Sequence, residues 1–162
     1  MSETLQTETI DLLAGMHPNG QPVLENIRVL RLPEHNRFRL LQSPLFVNGA
    51  ACGDAIEMLD NSPGRFRVRE RSGQLAIRVL CRSGVAGLAE ELTPAVEKLG
   101  GQLDVRSERA LVYSVHVAVG FTEIECLFET YTQAAGAAWS YGNVYDIETG
   151  APLDWWEQLL AP

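Results

Sequence analysis

Apolar and polar positions alternate in short runs through the first half of the chain and recur at helical spacing in two stretches of the second. Thr9–Leu13, Val23–Leu32, Arg37–Leu41 and Ala55–Leu59 read as strands. His17-Pro18-Asn19-Gly20 and Pro33-Glu34-His35-Asn36 separate the first three, because Pro fixes a turn-compatible φ and Asn-Gly tolerates positive φ. Arg65–Arg71 alternates with period two, Ser72-Gly73 offers a two-residue turn, and Gln74–Arg82 returns. Pairing residue 71 with 74 sets Phe66 opposite Val79 and Val68 opposite Ile77, an apolar face. The other face then carries Arg65, Arg67, Arg69, Arg71, Arg78 and Arg82.

Val85–Leu99 has apolar residues at 85, 88, 92, 96 and 99, and Gly100-Gly101 stops it. Pro94 should kink this helix or restart it with Thr93 as cap. Gln102–Arg106 and Ala110–Val119 read as strands, the second apolar on both faces as a central strand would be. Thr122-Glu123-Ile124-Glu125 fits a capping box, and the helix after it buries Phe121, Ile124, Leu127, Phe128, Tyr131, Ala135 and Ala138. Trp139–Tyr145 reads as a last strand, and Leu153–Leu160 as a short helix docked by its tryptophans.

The predicted fold is α+β: an N-terminal antiparallel β-meander or small barrel fused to a ferredoxin-like β-α-β-β-α-β lobe. The expected divisions are a β-rich lobe over 1–74, a ferredoxin-like lobe over 75–146 that shares the 65–82 hairpin, and a tail over 147–162, within one compact unit.

Arg37-Phe38-Arg39-Leu40 through Ser43-Pro44-Leu45-Phe46-Val47, Gly53-Asp54-Ala55-Ile56-Glu57, and Arg71-Ser72-Gly73-Gln74-Leu75-Ala76-Ile77-Arg78-Val79 together resemble an uncharacterised bacterial family, domain of unknown function 4265. The resemblance covers roughly residues 20–146. It implies a small cytoplasmic protein and carries over no catalytic residues.

Net charge of −8 disfavours non-specific binding to nucleic acid or an anionic membrane. The basic residues are 12 Arg and one Lys, Lys98, and Arg is the better fork for carboxylate or phosphate. Cys52, Cys81 and Cys126 are widely spaced, which excludes a disulfide framework or zinc ribbon read from spacing. The acidic start Met1–Glu8 lacks the pattern of a signal peptide, and no apolar run spans a bilayer, so a cytoplasmic location and no membrane partner are expected. Neither cofactor nor metal is implied, since phosphate-loop motifs and ligand spacings are missing.

The arginine face is the most unusual feature, either neutralised by Glu57, Asp60 and Glu70 or available to an acidic protein or small anion. Nucleic-acid binding ranks lower, because one aromatic alone, Phe66, interleaves with the arginines. Trp139, Tyr141, Tyr145, Trp155 and Trp156 form the second candidate surface, with tail-stapling or a homodimer interface as the competing roles. Gly49–Asp54 could hold a nucleophile, Cys52, but a catalytic thiol needs a base and an electropositive setting, and the histidines His17, His35 and His116 are remote in sequence. The acidic helix residues Glu90, Glu91, Glu123, Glu125 and Glu129 read as a solvated face that could also meet a basic partner.

Three functions remain open. The leading one is a non-catalytic protein-binding module of inhibitor, immunity or regulatory type. The second is a small-metabolite sensor with a ferredoxin-like dimer interface. The third is an enzyme using Cys52, His116 or Asp54.

Overall fold

A computed structural model describes residues 7–160, so the sequence-based reading of Met1–Gln6 lies outside the described residues, as do the last two of the tail. The described chain is a mixed α and β protein, built mostly of strands in two antiparallel sheets with three helices. The first sheet holds β1 (Thr7–Met16), β2 (Pro22–Arg31), β3 (Arg37–Leu40), β4 (Ala55–Met58) and β5 (Phe66–Glu70) in chain order. Alternation dictates its two sides. Leu12, Ile27, Val29, Phe38, Leu40 and Ile56 are buried on one face and join Val47 and Ala50 in a single cluster, while Arg37 and Arg39 stand on the other.

This sheet is a meander and not a closed barrel. It curls until Leu13 donates its backbone N–H to Gly64 O at 2.8 Å, but among the described residues β1 and β5 do not pair as strands. A bulge between Leu13 and Gly15 increases the local twist.

The second sheet has the order β7-β8-β6-β9, from β6 (Gln74–Leu80), β7 (Gln102–Arg106), β8 (Ala110–His116) and β9 (Ala138–Tyr141), every neighbour antiparallel. Helices α1 (Ala86–Lys98) and α2 (Phe121–Ala135) follow β6 and β8, and α3 (Trp156–Leu160) closes the described chain. Leu75, Ile77, Val79, Leu111, Tyr113 and Val115 meet Leu88, Leu92, Val96, Ile124 and Phe128 in a second cluster. Each fully buried aliphatic side chain contributes roughly 1.5–3 kcal/mol.

The predicted 65–82 hairpin does not form. β5 pairs with β4, setting Phe66 beside Met58 and Val68 beside Ile56, whereas β6 lies between β8 and β9 and has no open side for β5. The turn chemistry explains the error. A tight two-residue hairpin wants positive φ at its first central residue. Here Gly73 alone is positive, at +95°, and Ser72 is not. Arg71-Ser72-Gly73 is therefore a corner that carries the chain from one sheet to the other.

Four smaller corrections have equally local causes. Helix α1 runs through Pro94 without restarting, and Thr93 exchanges a 2.7 Å hydrogen bond with the Tyr113 hydroxyl instead of capping. Helix α2 starts at Phe121 behind Gly120, at φ +102°, with no side-chain cap, so the box at Thr122 is not used. Strand β8 ends at His116 and passes into one 3-10 turn, Val117–Val119. Strand β9 stops at Tyr141 because the Asn143 side chain replaces the ladder: it accepts from Ala76 N at 2.9 Å and donates to Gln74 O at 3.0 Å.

Candidate functional site

Two polar regions command the chemistry of the molecule: a buried seam between the sheets and an exposed basic face on the first sheet. The seam is built by residues 43–54, which leave β3, cross the second sheet and return to β4. Asp54, almost completely buried, accepts Ala51 N (3.0 Å), Ser72 N (2.9 Å) and Ser72 Oγ (3.0 Å), and Arg71 lies 3.6 Å away. Burial pushes its carboxyl above the ordinary aspartate value, and the Ser72 and Ala51 amides and Arg71 oppose that shift. The single Ser72 hydroxyl proton is shared between Asp54 and Cys52 O, the latter 2.7 Å away.

Beside it, Ser43 accepts the Cys52 N–H at 2.9 Å, shares a 2.7 Å hydrogen bond with Ser114, and gives its own N–H to Asp104 at 2.7 Å. Ser114 and Gln102 also donate to Asp104. Glu25 accepts three successive N–H groups, from Leu45, Phe46 and Val47, at 2.7–2.9 Å. No buried side-chain polar atom lacks a partner among the described residues.

The catalytic candidates sit in this seam. Burial pushes the Cys52 thiol up to about 12, with the carboxylates of Asp104 and Asp54 adding to the shift. A thiol so placed stays protonated at neutral pH and is a poor nucleophile. His116 Nδ1 accepts the Ala118 N–H at 3.0 Å, and its Nε2 would lie 2.4 Å from a Cβ at position 73. Only glycine fits there, on grounds of space and of φ alike. Among the described residues no three His, Cys, Asp or Glu side chains are grouped to hold a metal ion.

The arginines predicted to share one face are divided. Arg71 turns into the seam, donates to Gly49 O at 2.7 Å and stacks its guanidinium 5.4 Å from the Trp155 ring. Arg78 grips the crossing loop, donating to Val47 O, to Asn48 Oδ1 at 2.8 Å and to Pro44 O at 3.4 Å. Arg65, Arg67 and Arg69 remain exposed on and beside β5. Their neighbours come from elsewhere. Arg37 and Arg39 on β3 share the outer face, and Arg37, Glu57 and Arg67 form one cross-strand row, with Glu57 3.6 Å and 3.7 Å from the two guanidinium groups. Arg37, Arg39 and Arg69 line a groove of about 300 Å³ with Glu34 and Glu70. The signal for this face was the Arg37-Phe38-Arg39-Leu40 alternation, which requires the pairing of β3 with β4 before it points to Arg67.

The aromatics form a connected line on the helical side of the second sheet. Trp139 and Tyr141 meet edge to face at 5.1 Å, Tyr141 meets Phe121 at 5.8 Å, Phe121 meets Trp156 at 5.2 Å, and Trp156 meets Trp155 at 5.4 Å. Their polar ends are also engaged: Trp139 with Glu129 (3.0 Å), Tyr141 with Glu125 (3.3 Å), and Trp155 with Asn143 O (2.8 Å). Tyr145, in contrast, is half exposed on the chain beyond β9.

Residues 25–139 match the family described as "Domain of unknown function (DUF4265)". The chain belongs to this family. The DUF4265 match runs from β2 into β9 and so contains the seam and the basic face, while Tyr141, Trp155 and Trp156 lie beyond it. No curated protein matches the chain. A solved structure, "Novel crystal structure of a hypothetical protein from Neisseria gonorrhoeae", is similar at 16% identity and TM-score 0.63 over 88% of this chain and 96% of that one. At that identity the likeness concerns the fold.

Proposed function

We propose that this protein is a non-catalytic binding module that takes an acidic protein partner on the basic outer face of its first sheet. The observation that carries this reading is the row Arg37-Glu57-Arg67, where one carboxylate stands between two guanidinium groups, with Arg39 and Arg69 beside it. Net charge of −8 does not forbid it, because exposed charges are screened beyond about 8 Å at physiological ionic strength. The rival catalytic reading is weakened by the engagement of Asp54, Ser72 and Cys52 in structural hydrogen bonds. Three free cysteines support a reducing, cytoplasmic setting. Among the described residues no helix is long and apolar enough to cross a membrane.

The second sheet fits a ferredoxin-like arrangement in this reading. Strand order β7-β8-β6-β9, antiparallel neighbours and helices after β6 and β8 support it.

Labelled polyglutamate tests the basic face by fluorescence anisotropy. Binding should fall steeply with salt and weaken by about 10-fold or more in Arg67→Ala/Arg69→Ala, as expected when two charge-assisted contacts are removed. No binding at low salt, or equal binding by this variant, overturns the reading.

A groove of about 730 Å³ at the start of α2, lined by Leu99, Val119, Phe121, Leu127 and Tyr131 among others, favours the metabolite-sensor reading as second. A thermal-shift screen over metabolites tests it: a true ligand at 100 times its Kd stabilises by about 2.7 kcal/mol, and a flat screen counts against it.

A further inference from the structure

We infer that the acidic partner binds as an added β-strand, an extended segment pairing with the open edge of β5; the inference rests on the basic-face reading and specifies how that face is used. Among the described residues β5 is the last strand of its sheet and pairs with β4 alone. Leu59 donates its N–H to Arg65 O at 3.0 Å, and residue 57 lies opposite 67. Hydrogen-bonded and non-bonded pairs alternate in an antiparallel ladder. Arg65 and Arg67 therefore turn their backbone groups toward β4, and Phe66 and Val68 present theirs to the open side. The far edge of the sheet does not fill this side, since β1 approaches no nearer in the ladder than the Leu13–Gly64 bond among the described residues.

Both sides of an incoming strand would find complementary surface. On the inner side Phe66 and Val68, packed against the core of the first sheet, line a groove of about 430 Å³, with Ile147 72% exposed at its mouth. On the outer side Arg65 and Arg67 alternate with Phe66 and Val68 as far as a bulge, where Arg69 is the extra residue and Glu70 lies opposite Ala55. Side chains of an added strand alternate likewise, so a segment with apolar and acidic residues in strict alternation fits both. The same arginines select against a second copy of this chain, because self-pairing of β5 would set like charges across the strands.

The test uses three end-blocked heptapeptides with the intact protein. One is Glu-Val-Glu-Val-Glu-Val-Glu, one has the same composition with the valines consecutive, and one is the alternating peptide N-methylated at the amides that would face β5. Strand addition requires the alternating peptide to bind about 10-fold tighter than the permuted one and to lose about 10-fold or more on N-methylation, since methylation removes the ladder donors. Val68→Pro in the protein, which removes an N–H that faces the open edge, should cause a similar loss with the circular dichroism spectrum unchanged. Equal binding of alternating and permuted peptides, still dependent on Arg67 and Arg69, overturns strand addition and leaves the basic face standing. Retained affinity after N-methylation also overturns it. Failure of all three peptides and of polyglutamate overturns both.

Discussion

Arginines close together in the sequence do opposite work at the seam and on the outer face. Arg78 is turned inward and has its fork occupied by Val47 O, Asn48 and Pro44 O, while Arg67, with a side chain 59% exposed, has the Glu57 carboxylate 3.7 Å away. Arg71 and Arg78 are both lowered from the ordinary arginine value by burial, yet both stay cationic, since that value is so high. Backbone carbonyls accept from a buried guanidinium and fix where the loop lies. A surface ion pair in water is worth roughly 0–1 kcal/mol and fixes little. Arginine spacing alone does not reveal its role; the strand on which it stands and the partner of that strand do.

The seam can be broken most severely at Gly73. Alanine there would meet His116 Nε2 at 2.4 Å on a backbone with φ +95°. Gly73→Ala should cost about 3–4 kcal/mol, from left-handed strain and overpacking together. Urea unfolding followed by circular dichroism measures this, and a loss under about 1 kcal/mol would show that the corner yields easily. Arg78→Ala comes next. It leaves Val47 O and Asn48 Oδ1 without their donor. The expected loss is about 2–3 kcal/mol by the same measurement, typical of stranding buried polar groups.

Among the described residues, Asp54 gives the seam a pH dependence that the outer face lacks a buried carboxyl to match. Its folded-state pKa is raised, chiefly by burial, so its contribution to stability is fully present below the ordinary aspartate pKa and is lost as pH rises through the folded value. Asp54→Asn removes that dependence. The stability of the wild type relative to Asp54→Asn should therefore improve as pH falls through the acid range. Thermal melts of both proteins from neutral to acid pH check the sign, and a gap that moves the other way would mean that the Ser72 and Ala51 amides outweigh burial.

Most strands and both long helices were legible because their periodicities are local properties of the chain. What failed depended on partners. Ser72-Gly73 reads as a hairpin turn until β6 is known to have β8 on one side and β9 on the other. Trp139–Tyr145 reads as one strand until Asn143 takes over the ladder with its side chain. The basic face was half visible: Arg67 and Arg69 stood out, and Arg37 and Arg39 joined them through the β3–β4–β5 register. The seam residues Ser43, Asp54 and Ser72 were quoted for the family resemblance, but their roles follow from contacts 18 to 71 residues apart in sequence.

Arg67→Ala completes the series with the smallest effect on stability. Its nearest carboxylate, Glu57, keeps Arg37 at 3.6 Å, so the substitution strands no buried group. Stability should change by less than about 0.5 kcal/mol, as for ordinary surface positions. Affinity for polyglutamate should nevertheless drop, and its salt dependence should become shallower because one fewer cation answers the polymer. A variant that leaves folding untouched but weakens binding separates the two arginine populations in one protein. If Arg67→Ala instead destabilised the fold as much as Arg78→Ala, the outer face would be structural, and the distinction between seam and face would collapse.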